Sequence, residues 1–197
     1  NDGMDAEQGN ERQAKLGMLA ARLQAHGVPL GRWGVGEARR LEDLLKELES
    51  GEATLEEGPE GRLLRTSHGA RVTVYYTSDS GRWKLVEDRQ EYVGGGVRKR
   101  TADLPMSVGE KLKPGESADV AARRALSEEL GIEGEIPLQN IGEDKRHSPS
   151  KAFPGIDTCY VSSDYAVELP VEHYKPEGYI ERQPDKTTFF VWEKVAE

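Results

Sequence analysis

The chain reads as an α/β protein preceded by a two-helix extension, and three features of its patterning predict this. Apolar residues recur with helical period before residue 50, the period switches to alternation after Gly58-Pro59, and a capped helix at 118–130 stands between stretches of strand pattern. The boundary is placed at the period switch, with an extension over residues 1–57 and the α/β domain over 58–197.

Residues 1–10 are polar and are expected to be loose. From Glu11, Leu16, Leu19, Ala20 and Leu23 follow i, i+3, i+4, i+7, which predicts an amphipathic helix ended by Gly27 and Pro29. A second helix is predicted from about Glu37 to Glu49, with Leu41, Leu44, Leu45 and Leu48 on one face. Between them, Trp33 in Gly31-Arg32-Trp33-Gly34 is expected to pack between the helices. Two such helices cannot bury both stripes alone, so they should dock on the following domain, on a protein partner or on another copy of the chain.

Alternation over Arg62 to Thr66, Arg71 to Thr77 and Arg82 to Tyr92 predicts antiparallel strands, with turns at His68-Gly69 and Asp79-Ser80-Gly81. Gly94-Gly95-Gly96 then loosens the chain; it lacks the spacing and the following Lys of a phosphate-cradling loop. The basic run Arg98-Lys99-Arg100 reads either as solvated surface or as a phosphate contact upstream of an acidic helix.

That helix is the most informative stretch. Pro114-Gly115 turns the chain, Ser117 suits an N-cap, Asp119 complements the positive end of the dipole and Gly131 suits the C-terminal left-handed position. Ala118, Ala122, Leu126 and Leu130 supply a buried stripe, and Arg124 and Glu128 form an i,i+4 pair. Glu128 and Glu129, with Glu116 just before the helix, offer hard oxygen ligands of the kind that hold Mg²⁺ or Mn²⁺ together with water and substrate phosphates. The plain alternative is a solvated face, on which such an ion pair is worth only about 0.3–0.5 kcal/mol.

Beyond it, Glu133 to Ile141 reads as a strand and Gly142 to Ala152 as a polar loop carrying Lys145, Arg146, His147, Ser148, Ser150 and Lys151, a composition suited to gripping phosphates. Phe153-Pro154-Gly155 turns the chain into a strand from Ile156 to Leu169, and Lys186 to Lys194 is the final strand.

Glu116, Arg124, Leu126, Glu128, Glu129, Gly131 and Ile132 fall on positions of a known pattern: Gly, five residues, Glu, seven residues, then Arg-Glu-apolar-x-Glu-Glu-x-Gly-apolar. The stretch thus resembles the box of the Nudix hydrolase superfamily. Two positions depart from it: Glu110 stands where the pattern has its leading Gly, and Ala125 where it has the Glu after the Arg. Ser148-x-Ser150, Phe153-Pro154-Gly155 and Thr158-x-Tyr160 resemble a Nudix-like family of plants and algae, without indicating a substrate.

The resemblance implies an α/β/α sandwich with a mixed β-sheet, and hydrolysis of a nucleoside diphosphate linked to another moiety. It implies Glu116, Glu128 and Glu129 as ligands of Mg²⁺ (or Mn²⁺), with Arg124 orienting Glu128 and with Glu128, Glu129 and Arg124 as the catalytic set. Arg98, Arg100, Lys145 and Arg146 are the candidate contacts to a phosphate-containing small molecule. Ala125 can be neither ligand nor base, so either Glu110, Glu168, Glu181 or Asp185 supplies the missing carboxylate, or the chain is a Nudix-like module that binds a nucleotide or protein without turnover.

The 197 residues suffice for one full domain plus an appendage. A net charge of -9 argues against nonspecific binding of nucleic acid or anionic membrane. The single cysteine, Cys159, permits no internal disulfide, reads as a small buried strand residue and suits a reducing intracellular setting, in cytoplasm or an organelle such as a plastid. No apolar run approaches the length of a membrane span, and no signal peptide is visible. A start at Asn1-Asp2-Gly3 is what a processed or trimmed product would show, and a removed targeting segment would leave no trace.

Overall fold

The computed structural model describes residues 2–100 and 106–196, and it divides into two compact units. The first comprises residues 1–68, 113–115 and 145–161; the second comprises 69–112, 116–144 and 162–197.

The first unit opens with α1 (Asp2–Ala25). Residues 2–10, expected to be loose, belong to this helix; they are exposed from Gly3 on and carry no apolar face from which burial could be read. After a 3₁₀ turn (Leu30–Arg32) comes α2 (Leu41–Ser50), which begins four residues later than predicted. There the Arg40 backbone N–H donates to the Asp43 carboxylate at 2.9 Å, and Gly51 (φ 84°) ends the helix in the left-handed region. A short strand unseen in the sequence, β1 (Ala53–Glu57), pairs antiparallel with the start of β2 (Leu63–Ser78), Ala53 opposite Ser67 and Glu57 opposite Leu63.

Leu16, Leu19 and Leu23 of α1 and Leu44 and Leu45 of α2 share one core with Trp33, Leu63, Phe153 and Ile156. The leucine stripes are therefore covered inside this unit. Trp33 lies in that core as expected; its ring meets Phe153 at 5.2 Å between centroids and its indole N–H donates to the Pro154 carbonyl at 2.8 Å. Beside them, buried Glu47 receives a bidentate pair of bonds from Arg65, at 2.7 and 2.9 Å, and a third from Arg39 at 3.1 Å.

The second unit takes up β2 from Gly69. A turn at His68-Gly69 was expected, but the strand runs through it. It turns at Asp79-Ser80 into β3 (Gly81–Tyr92), followed by β4 (Val97–Lys99) and β5 (Val108–Lys111), two short strands missed in the sequence. Then come α3 (Ala118–Leu130), β6 (Gln139–Pro149), β7 (Asp157–Glu168), β8 (Tyr179–Arg182) and β9 (Lys186–Lys194). Among the described residues the strand order is β6-β7-β2-β3-β9-β8, with β1 and β5 added to β2 and β4 to β3, in a nine-stranded mixed sheet.

The segment read as a polar loop over 142–152 is largely strand β6, whereas 133–138 is not strand. Nearly every residue of β6 is exposed, so backbone pairing holds it and no apolar alternation announces it. Ala70, Val72, Val74, Leu85, Val108, Val167 and Phe190 of the strands pack with Ala121, Ala122, Ala125, Leu126 and Leu130 of α3 in the second core.

Candidate functional site

Helix α3 starts where Ser117 Oγ accepts the Val120 N–H at 3.3 Å and ends at Gly131 (φ 68°), whose N–H donates to the Ser127 carbonyl at 2.9 Å. Its small, fully buried alanines let it lie close on β5 and β8. Ala125 is 0% exposed, within this apolar core. A Glu at 125 would therefore enter the core.

Arg124 leaves the same helix at one edge of that stripe and gathers carboxylates from three segments. Its Nε and Nη2 donate to the two oxygens of Glu116, both at 3.1 Å, and Nη2 also donates to the Lys111 carbonyl at 2.8 Å. Nη1 lies 3.3 Å from Glu110 on β5 and 3.4 Å from Glu128 one turn along α3. With Glu116 as the strongest partner, the guanidinium is held even more firmly charged than usual. Arg124 thus meets Glu128 at the expected helical spacing but binds Glu116 more closely.

Next to it a cleft of about 160 Å³ is lined by Glu87, Gln90, Glu110, Glu129, Glu181 and Lys186, with Gln183 and Thr188 completing the wall. Strand register explains the gathering. Glu87 pairs with Phe190 and Glu181 with Thr188, so these acids project on the face that Leu85, Phe190 and Tyr179 use to meet the core. Four carboxylates and one lysine leave a negative surplus in a small space.

Glu129 shows the consequence. Burial, then Glu110 and Glu181, push its carboxyl up to about 8, against a hydrogen bond from the Gly109 backbone. Its Oε2 is buried without a hydrogen-bond partner. The Glu181 carboxyl is also raised, by burial and then by Glu110, with Lys186 opposing.

Among the described residues no three His, Cys, Asp or Glu side chains stand in ligand geometry for one metal ion. The donor set nevertheless fits Mg²⁺ or Mn²⁺ in kind: hard oxygens only, a charge surplus and an orphaned carboxylate oxygen.

The structure brings together Glu116, Arg124, Glu128 and Glu129, and adds Glu110 and Glu181 from the four alternative carboxylates. Glu168 is instead engaged by Arg82, at 2.8 Å from Nε, and by Thr77 at 3.1 Å. Asp185 does not line the cleft. Arg100 lies 3.7 Å from Glu87, with its Nη1 buried and unpartnered, whereas Arg98 is exposed on β4. Lys145 and Arg146 belong to the first unit, on β6, where Arg146 stands over the Tyr160 ring at 5.8 Å.

Glu87 and Lys186 were missed. Glu87 sits two residues from Leu85 in a strand pattern, an acid where alternation calls for an inward apolar residue, which is the signal that could have found it.

No protein-family model matches the chain, and no curated protein matches it. Among solved structures it is similar to an Ap4A hydrolase of C. elegans, with 13% identity over 64% of this chain and 79% of that one, at a TM-score of 0.37. It is similar to the NUDIX domain of Shewanella oneidensis NrtR complexed with ADP ribose, with 10% identity over 64% and 71% of the two chains, at a TM-score of 0.37. A MutT/nudix family protein from Enterococcus faecalis shares 14% identity over 80% of this chain and 52% of that one, at a TM-score of 0.44. Each of these likenesses covers only part of either chain.

Proposed function

We propose that the protein is a metal-dependent hydrolase of a nucleoside diphosphate linked to another moiety. The observation that carries this reading is the acidic cleft, in which Glu129 keeps a buried, unpartnered Oε2 in the company of Glu110 and Glu181. Such crowding raises the energy of the empty site and is relieved by a cation.

Glu128 and Glu129 would hold Mg²⁺ or Mn²⁺, with Glu116 as a supporting ligand or as the anchor of Arg124. Bound there, the ion would supply charge neutralisation to the diphosphate and activation of water. Burial and the neighbouring Glu110 and Glu181 favour the protonated form of Glu129, and a cation held there would favour the carboxylate instead. Arg124 holds Glu110, Glu116 and Glu128 in fixed relation, so that ordering them costs little when substrate arrives. Arg98 and Arg100 are proposed as phosphate contacts, Arg100 on the strength of its unpartnered Nη1. For Lys145 and Arg146 that role rests on composition alone.

A second reading, a module that binds a nucleotide or protein without turnover, draws on Ala125, which places no carboxylate in the cleft. Release of phosphate or monophosphate from nucleotide sugars, dinucleotides and nucleoside triphosphates, with Mg²⁺ and with chelator, decides between them. Metal-dependent release that Glu129→Gln abolishes is the expected result; binding without release favours the module. No described helix is long and apolar enough to cross a membrane.

A further inference from the structure

Strand β6 (Gln139–Pro149) is an edge of the sheet: among the described residues its one strand neighbour is β7. The other strands with a single neighbour, β1, β4, β5 and β8, are three to five residues long, whereas β6 runs for eleven. Among the described residues no turn, loop or cap bond reaches its backbone N–H and C=O groups, and nearly all of its side chains are exposed. A long exposed edge is a template for another strand, and short length is a usual protection against this.

The charges of β6 suit one particular strand, that of a second copy of the chain. Past Gly142, whose φ of 129° interrupts the extended run, come Glu143, Asp144, Lys145, Arg146 and His147, two acids followed by three basic side chains. In an isologous pair residue i meets j and j meets i. Residues opposite one another across antiparallel strands share one face of the sheet, so i and j lie an even number of positions apart and the pairing is centred on a residue. Centred on Lys145, Asp144 faces Arg146 and Glu143 faces His147, each twice, and the one like pair is Lys145 with itself on the axis. Centred on Asp144, only Glu143 with Lys145 is of opposite charge and Asp144 meets itself; centred on Arg146, Lys145 faces His147 and Asp144 faces uncharged Ser148. Asp144 and Arg146 also have partners in their own chain, Arg71 at 3.2 Å and the Tyr160 ring at 5.8 Å, which limit the freedom either would lose on pairing.

We propose that β6 is the surface through which two copies of this chain associate, antiparallel about a two-fold axis at Lys145, so that the sheet of one copy continues into the other. The inference is independent of the metal-site reading.

The test is sedimentation equilibrium of the full chain, with circular dichroism to confirm that each variant is folded. Wild type should form a dimer. His147→Glu sets Glu143 against a like charge twice and should weaken the dimer by about tenfold. Glu143→Lys combined with His147→Glu restores both pairs in reverse and should recover most of the loss. Under oxidised glutathione, Lys145→Cys should give a disulfide-linked dimer, because Cα atoms facing each other across an antiparallel pair are about 4.5–5.5 Å apart, within disulfide reach. Ile141→Cys, which faces Pro149 in this register, should not, and buried Cys159 offers no competing thiol. A monomeric wild type overturns the proposal and leaves the charges as protection of the edge. A dimer indifferent to His147→Glu, a double variant no tighter than His147→Glu, or a link through Ile141→Cys and not through Lys145→Cys overturns it by placing the contact elsewhere.

Discussion

Replacing Glu129 with Gln should stabilise the metal-free protein, and only above mildly acidic pH. In the folded protein the Glu129 carboxyl is raised from 4.5 to about 8, so between those values the native state holds a proton that the unfolded chain has lost. Wild-type stability therefore falls as pH rises through this interval, by at most about 1.4 kcal/mol per pH unit. Over the interval the contribution is roughly 3–5 kcal/mol. Gln carries no charge and can still accept the Gly109 N–H, so it escapes the loss. Urea unfolding of both proteins in chelator from pH 4 to 9 should show near-equal stability at the acid end and a variant advantage that opens through pH 5–8 and is constant above. Adding Mg²⁺ at pH 8 should stabilise wild type far more than the variant, because the cation then offsets the same repulsion. A pH-independent difference between the two, or a variant less stable than wild type at pH 9, would refute the account of a crowded, cation-seeking carboxylate.

Ala125→Glu should lower metal-free stability by at least about 2–3 kcal/mol, since it drives a carboxylate into a fully buried apolar site; urea unfolding checks this, and a loss below about 1 kcal/mol would mean that the side chain escapes to the cleft. Arg65→Ala should cost about 3 kcal/mol by leaving buried Glu47 with only the half-exposed Arg39 as partner, read from the same kind of unfolding curve. Removal of residues 1–57 strips α1, α2 and β1 from Leu63, Phe153 and Ile156; we expect retained β-type circular dichroism with new binding of a hydrophobic dye, whereas an unfolded spectrum would show that the extension cannot be separated.

Much of the acidic site was legible because its signals are local. Ser117, Asp119 and Gly131 delimit α3 by capping chemistry, and Arg124, Glu128 and Glu129 follow from helical spacing, none of which needs knowledge of distant partners. The same holds for β3 and β9, where alternation against a core leaves a period in the sequence. Strand β6 left none, because its residues are exposed and its hold on the sheet lies in backbone groups that every residue possesses. Short β1, β4, β5 and β8 are too brief for a period to declare itself.

What the sequence determined by itself was the class of the protein, the bounds of α3, and the presence of an arginine with carboxylates at helical spacing. Only the tertiary structure decided which carboxylates share a cleft. Glu87, Glu110, Glu129 and Glu181 come from three strands and a helix, and no spacing along the chain encodes a meeting that depends on the register of β3 with β9, of β8 with β9 and of β5 with β2. It also decided the fate of Ala125, since an angle on a helical wheel gives a direction and not what lies there, and the core of the second unit occupies that direction.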